Sequence, residues 1–103
     1  MIMDPRVARI VNLLKEYSPE KVILFGSQAK NSSDSYSDID LVVVKKTEKP
    51  FLDRVKEALK IIKPSFAIDI IVYTPDEFQQ MVSEGNPFLE HVLEEGEVIY
   101  EKP

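Results

Sequence analysis

The sequence contains no cysteine. That excludes disulfides, thiolate metal sites and cysteine nucleophiles, and it suits a reducing cytoplasm. There is a single histidine, His91. One imidazole without thiolates cannot build a zinc site, and its neighbours Glu90, Glu94 and Glu95 mark His91 as a surface residue of an acidic helix. Long hydrophobic runs are missing too. Stretches such as Val22–Phe25 and Leu41–Val44 fall far short of the roughly 20 residues that span a bilayer, so no membrane association is expected. The N-terminus has no basic segment followed by a long apolar stretch, the pattern of an export signal. Basic charge is what the last third lacks. Residues 1–74 hold twelve Lys/Arg and ten Asp/Glu, whereas Pro75–Glu101 holds eight acidic residues and no Lys or Arg. An acidic third disfavours direct nucleic-acid binding, which needs a basic face. It fits either a solvated helical face or a surface for a basic protein partner.

The chain of 103 residues with 44% hydrophobic content is enough for one domain, 1–103, around one core. The first segment, Asp4–Tyr17, repeats apolar residues at helical spacing (Val7, Ile10, Val11, Leu14, Tyr17), with Asp4-Pro5 as cap and first position and Ser18-Pro19 as its end. Lys21–Phe25 reads as a short strand stopped by Gly26-Ser27. A polar loop follows over Gln28–Ser37. Asp38–Val44 is a strand rich in β-branched residues, and Lys45–Lys49 is a charged turn. Pro50–Lys63 is a second amphipathic helix with Phe51, Val55, Leu59 and Ile62 on one face. Phe66–Tyr73 is a third strand. Thr74-Pro75-Asp76-Glu77 has the residues of a capping box. It opens a short helix with Phe78, Met81 and Val82 inward, broken near Gly85. Asn86-Pro87 starts another, which Gly96 ends, and Val98–Tyr100 adds an edge strand. Phe51, Phe78 and Phe88 sit at helical spacing and are expected in the core. The alternation predicts an α/β (α+β) domain, a small mixed sheet flanked by helices.

The chemistry lies in Gly26-Ser27, ten residues, then Asp38-Ile39-Asp40. On a strand, Asp38 and Asp40 share a face about 6.5–7 Å apart, while Ile39, Leu41 and Val43 take the other. Two carboxylates projecting together repel, and a divalent cation removes the conflict. Mg²⁺ takes one or two carboxylates together with waters and phosphates, and a two-metal site would be possible here. Asp69 interrupts the apolar run from Ala67 to Val72. A carboxylate in a central strand is costly unless paired, metal-bound or at the solvent edge. If its strand lies beside the Asp38–Val44 strand, Asp69 faces the same cleft as a metal ligand and a base toward an attacking hydroxyl. Gly26 permits close approach of backbone to phosphate, and the Ser27 hydroxyl can donate to a phosphate oxygen. Each element alone has an ordinary structural explanation: a solvated strand edge, a turn, a hydrogen-bond acceptor. It is their combination that points to phosphoryl-type transfer.

In its Gly-Ser, its Asp-x-Asp ten residues later and its third Asp on a following strand, the chain resembles the minimal nucleotidyltransferases of the DNA polymerase β-like superfamily. The likeness runs through nearly the whole chain. It implies the polymerase β-like fold and ATP as donor. It also implies Mg²⁺ on Asp38, Asp40 and Asp69, and nucleotide binding by Gly26 and Ser27, with Ser37 and Lys30 beside them. The chain departs from the family at Gln28, where members often carry Arg or an aromatic, and at Lys30-Asn31, where they often carry Arg-Gly. Tyr36 either packs over the nucleotide base or has no role. About 60 residues follow the Asp-x-Asp strand, and no helical acceptor domain is visible among them. Family members of this size commonly pair with a helical HEPN-domain protein, a toxin resembling an RNase, and silence it by adenylylating a tyrosine. The resemblance therefore implies an antitoxin in a hetero-oligomer with a HEPN-type toxin. Adenylylation of a small molecule and inhibition by contact alone remain as alternatives.

Overall fold

The computed structural model describes residues 5–26, 39–65 and 67–103. Asp4, Ser27, Gln28, Lys30, Tyr36, Ser37 and Asp38 lie outside the described residues.

Helix α1 (Pro5–Leu14) buries Val7, Ile10, Val11 and Leu14 along one stripe, as its period requires. A 3₁₀ turn over Lys15–Tyr17 follows, and Ser18 ends it in the left-handed conformation with φ 58°. The strands are β1 (Lys21–Phe25), β2 (Ile39–Val44), β3 (Ile68–Tyr73) and β4 (Glu97–Glu101). They form one sheet in the order β3-β2-β1-β4. β1 runs antiparallel to both β2 and β4, and β2 runs parallel to β3. A parallel neighbour needs a crossover, and α2 (Phe51–Ile62) supplies it between β2 and β3.

The period-2 alternation sends the side chains to two faces. On one face Val22, Leu24, Ile39, Leu41, Val43, Ile70 and Val72 pack against α1 and α2 in the main core. On the other, Ile23 and Val42 meet Leu89 and Val92 of α4 (Pro87–Glu95) in a second, smaller cluster. Phe78 and Met81 of α3 (Pro75–Ser83) pack against its margin. Thr74 and Glu77 form the reciprocal capping box at the start of α3, and the Asn86 side chain accepts from the Leu89 N–H at the start of α4. Gly96 carries the chain from α4 into β4. A Cβ there would collide with the Val92 carbonyl and crowd Ile23 and Leu24.

The core departs from the sequence reading at several points. Phe51 and Phe88 are exposed, not core, and Val82 is exposed as well. Helix α3 buries no residue fully. In α2 the expected face holds beyond Phe51: Ile62 is buried and Val55 and Leu59 pack against the core, while Arg54 and Ala58 beside them are the more deeply buried. Finally, β3 is an edge strand, not a central one, so the burial cost expected for Asp69 does not arise.

Arg54 is the only buried charged residue among those described. Its guanidinium donates to the carbonyls of Lys49 and Val72 and makes a two-pronged contact with Glu77, 2.7 and 3.4 Å. One side chain thereby ties the start of α2 to β3 and to the first turn of α3. Such forked pairing suits Arg and not Lys.

Candidate active site

Strand β1 ends at Phe25, which is paired across the sheet with Asp40. The chain then turns at Gly26 with φ +81°, a conformation that costs little only for glycine. A Cβ at Gly26 would land on the Oδ2 atom of Asp40. Glycine is thus required twice at this point, once by the backbone and once by the carboxylate lying against it. Its expected role, close approach of backbone to phosphate, is compatible with this contact. Among the described residues, Asp40 is what a side chain at Gly26 would displace.

Asp40 and Asp69 are register partners in the parallel pair β2–β3. Adjacent strands lie about 4.8 Å apart, and partners in register project from the same face. Both carboxylates therefore leave the sheet on the face opposite Ile39, Leu41 and Ile70, the side on which α4 packs. Two residues further along, at Val42, Leu89 and Val92 cover this face. At the level of the aspartates, Asp40 is half-buried and Asp69 exposed. Like charges directly opposite on neighbouring strands are unfavourable. Hard oxygen donors brought together this way suit Mg²⁺ or a similar cation. Among the described residues no three His, Cys, Asp or Glu side chains converge. Asp40 and Asp69 are two of the three expected ligands, and Asp38 lies outside the described residues.

Phe88, expected in the core, stands beside the site instead. It stands in the first turn of α4, edge-on to Phe25, with ring centroids 5.6 Å apart and planes at 82°. Phe25 is the register partner of Asp40, so this exposed ring flanks the carboxylates. Helical spacing alone predicts burial, and the docking of α4 on β1 leaves the ring partly exposed. Grooves of about 520 and 590 Å³ open at the other end of the sheet, beside Glu20 and Pro75. Neither includes Asp40 or Asp69, and the apolar walls of the first, Val44, Phe78 and Val82, carry no catalytic group.

A model of the family described as Polymerase beta, Nucleotidyltransferase matches residues 8–103. The probable protein adenylyltransferase MntA of Haemophilus influenzae is 27% identical over 107 residues, covering 99% of this chain and 90% of that protein. A crystal structure of a toxin–antitoxin with AMP-PNP is similar in fold, with TM-score 0.61 and 17% identity over 92% of this chain and 73% of that one. A putative nucleotidyltransferase from Sulfolobus solfataricus matches with TM-score 0.57 and 20% identity, covering 96% of this chain and 89% of that one.

Proposed function

This chain belongs to the polymerase β nucleotidyltransferase family, and on that premise we propose that it transfers AMP from ATP to a tyrosine hydroxyl of a HEPN-type toxin partner, as an antitoxin. The observation that carries the reading is the in-register pair Asp40–Asp69 on one sheet face, with Gly26 against Asp40. The similarity to a protein whose name is that of a protein adenylyltransferase favours a protein acceptor. The exposure of Asp69 suits one too, because a second protein can supply walls that exclude water.

In the reaction the tyrosine oxygen bonds to the α-phosphorus of ATP and the bond from that phosphorus to the pyrophosphate oxygen breaks. Asp69, exposed at the sheet edge, accepts the tyrosine proton. Asp38, Asp40 and Asp69 would hold Mg²⁺, which supplies charge neutralisation on the phosphates. Gly26 brings backbone close to the triphosphate, and Ser27, with Ser37 and Lys30, donates to its oxygens. Transfer of this kind depends mainly on positioning and on neutralising charge, so a small domain has what it needs. The AMP added to the toxin is a bulky anion, and it opposes binding of anionic RNA there.

The test mixes the purified chain with a HEPN-domain partner, ATP and Mg²⁺, and maps adducts by intact-mass and peptide mass spectrometry. AMP on a partner tyrosine, absent with Asp69→Asn or Asp40→Asn, is the expected result. A partner that is left unmodified yet fully inhibited by these variants would establish inhibition by contact instead.

A further inference from the structure

The flank of the site opposite Asp69 carries an aromatic ring, Phe88, that packs on Phe25 by its edge and leaves part of its surface to solvent. The strand order puts Asp69 on β3, Asp40 on β2 and Phe25 on β1. Phe88 lies beyond Asp40 on the β1 side, against Phe25. It is 36% exposed, although a phenylalanine in the first turn of a helix docked on a sheet is well placed to be buried. Its contact is edge to face, with the planes nearly perpendicular, so the two rings do not stack on each other. The helix that carries it is fixed from both sides of this residue. Asn86 caps the first turn, and Leu89 and Val92 are fully buried. Phe88 is therefore held on a rigid support.

We infer that Phe88 is the platform on which the base of the donor nucleotide stacks. This rests on the nucleotidyl-transfer reading of the Asp40–Asp69 site and adds to it the residue that recognises the base. If the acceptor hydroxyl approaches at Asp69, the nucleoside half of the donor belongs on the other flank, where Phe88 stands. Every base presents a π face, so an aromatic platform contributes affinity without reading hydrogen-bond edges. Preference among purine bases should accordingly be weak, with purines favoured over pyrimidines by their larger stacking area.

Titration calorimetry with Mg-ATP and with Mg-tripolyphosphate separates base from phosphate. Phe88→Ala should weaken ATP about tenfold and leave tripolyphosphate unchanged. Phe88→Leu keeps an apolar contact with Phe25 but has no π face, and it should lose ATP affinity likewise, while Phe88→Tyr should retain it. Thermal unfolding of each variant reports the fold independently. If tripolyphosphate and ATP bind and both are indifferent to Phe88, or both weaken equally in folded variants, the platform is overturned and the phosphate site stands. If neither ligand binds the wild-type chain, the nucleotidyl-transfer reading fails and the platform fails with it.

Discussion

Gly26 and Asp69 are the two described residues of the site whose substitution is most informative, because they fail for different reasons. Gly26→Ala forces a side chain into a left-handed backbone and onto the Asp40 carboxylate. Strain of this kind costs about 1–3 kcal/mol, and displacement of Asp40 disturbs a group argued to hold metal. The expected outcome is a folded but less stable chain with transfer activity lost, measured by urea unfolding and by the adduct assay. Asp69→Asn should behave differently. Asp69 is exposed, so stability should stay within about 0.5 kcal/mol. The gain in melting temperature from Mg²⁺ plus nucleotide, which a ligand specific for the folded state confers, should shrink or vanish. An undiminished ligand shift in Asp69→Asn would remove it from the metal set.

At the scale of elements, the start of α3 depends on a buried cation in α2. Arg54→Leu leaves the carbonyls of Lys49 and Val72 and the Glu77 carboxylate without this donor, and it should cost about 3 kcal/mol in denaturant unfolding. The same link gives a pH dependence. The hydrogen bonds from Arg54, and next from the Thr74 backbone, hold the Glu77 carboxyl below its ordinary value of 4.5. A group whose pKa is depressed by folding adds stability above its unfolded pKa and loses it as pH falls through the folded one. The stability gap between wild type and Glu77→Gln should therefore be constant at neutral pH and close progressively below about pH 4.5. Half of the Glu77 side chain faces solvent (44% exposed), so the gap should be small and should narrow with added salt. A gap that persisted unchanged at pH 3 would show that packing, not charge, fixes this junction.

Over the whole molecule, charge is unevenly spread. The net charge is −5, and the eight acidic residues of Pro75–Glu101 lie on α3, α4 and β4 or, for Glu84, just past the end of α3, on the side of the sheet where the aspartates emerge and along its β4 edge. Like charge gathered around a site steers an oppositely charged partner into it. Reversing Glu90 and Glu94 to Lys should slow association with a basic HEPN-type partner by about tenfold or more at low ionic strength, with little effect near 0.5 M salt, where the Debye length is only about 4 Å. Stopped-flow or surface-binding kinetics would check this, and an unchanged on-rate would place the partner's contact elsewhere. No helix among the described residues is long and apolar enough to cross a membrane.

The features legible in the sequence were those written in local order. The period of α1, the Thr74–Glu77 capping box and the Asn86-Pro87 start of α4 each depend on residues within one or two turns, so spacing alone revealed them. The opposed faces of β2, with Ile39, Leu41 and Val43 inward, followed from the two-residue repeat of a strand. The Gly-Ser and Asp-x-Asp spacing pointed to the family in the same way. What tertiary structure decided was every relation between distant segments. Asp69 could be suspected from its interruption of an apolar run, but its place opposite Asp40 depends on parallel pairing of β3 with β2, and its exposure on β3 lying at the sheet edge. The contact of Gly26 with Asp40, the burial of Arg54 in place of Phe51 and the position of Phe88 on Phe25 arise from how helices dock on that sheet. Local sequence restricts each segment to a few conformations, whereas which faces meet is settled by the packing that buries the most apolar surface for the whole chain at once.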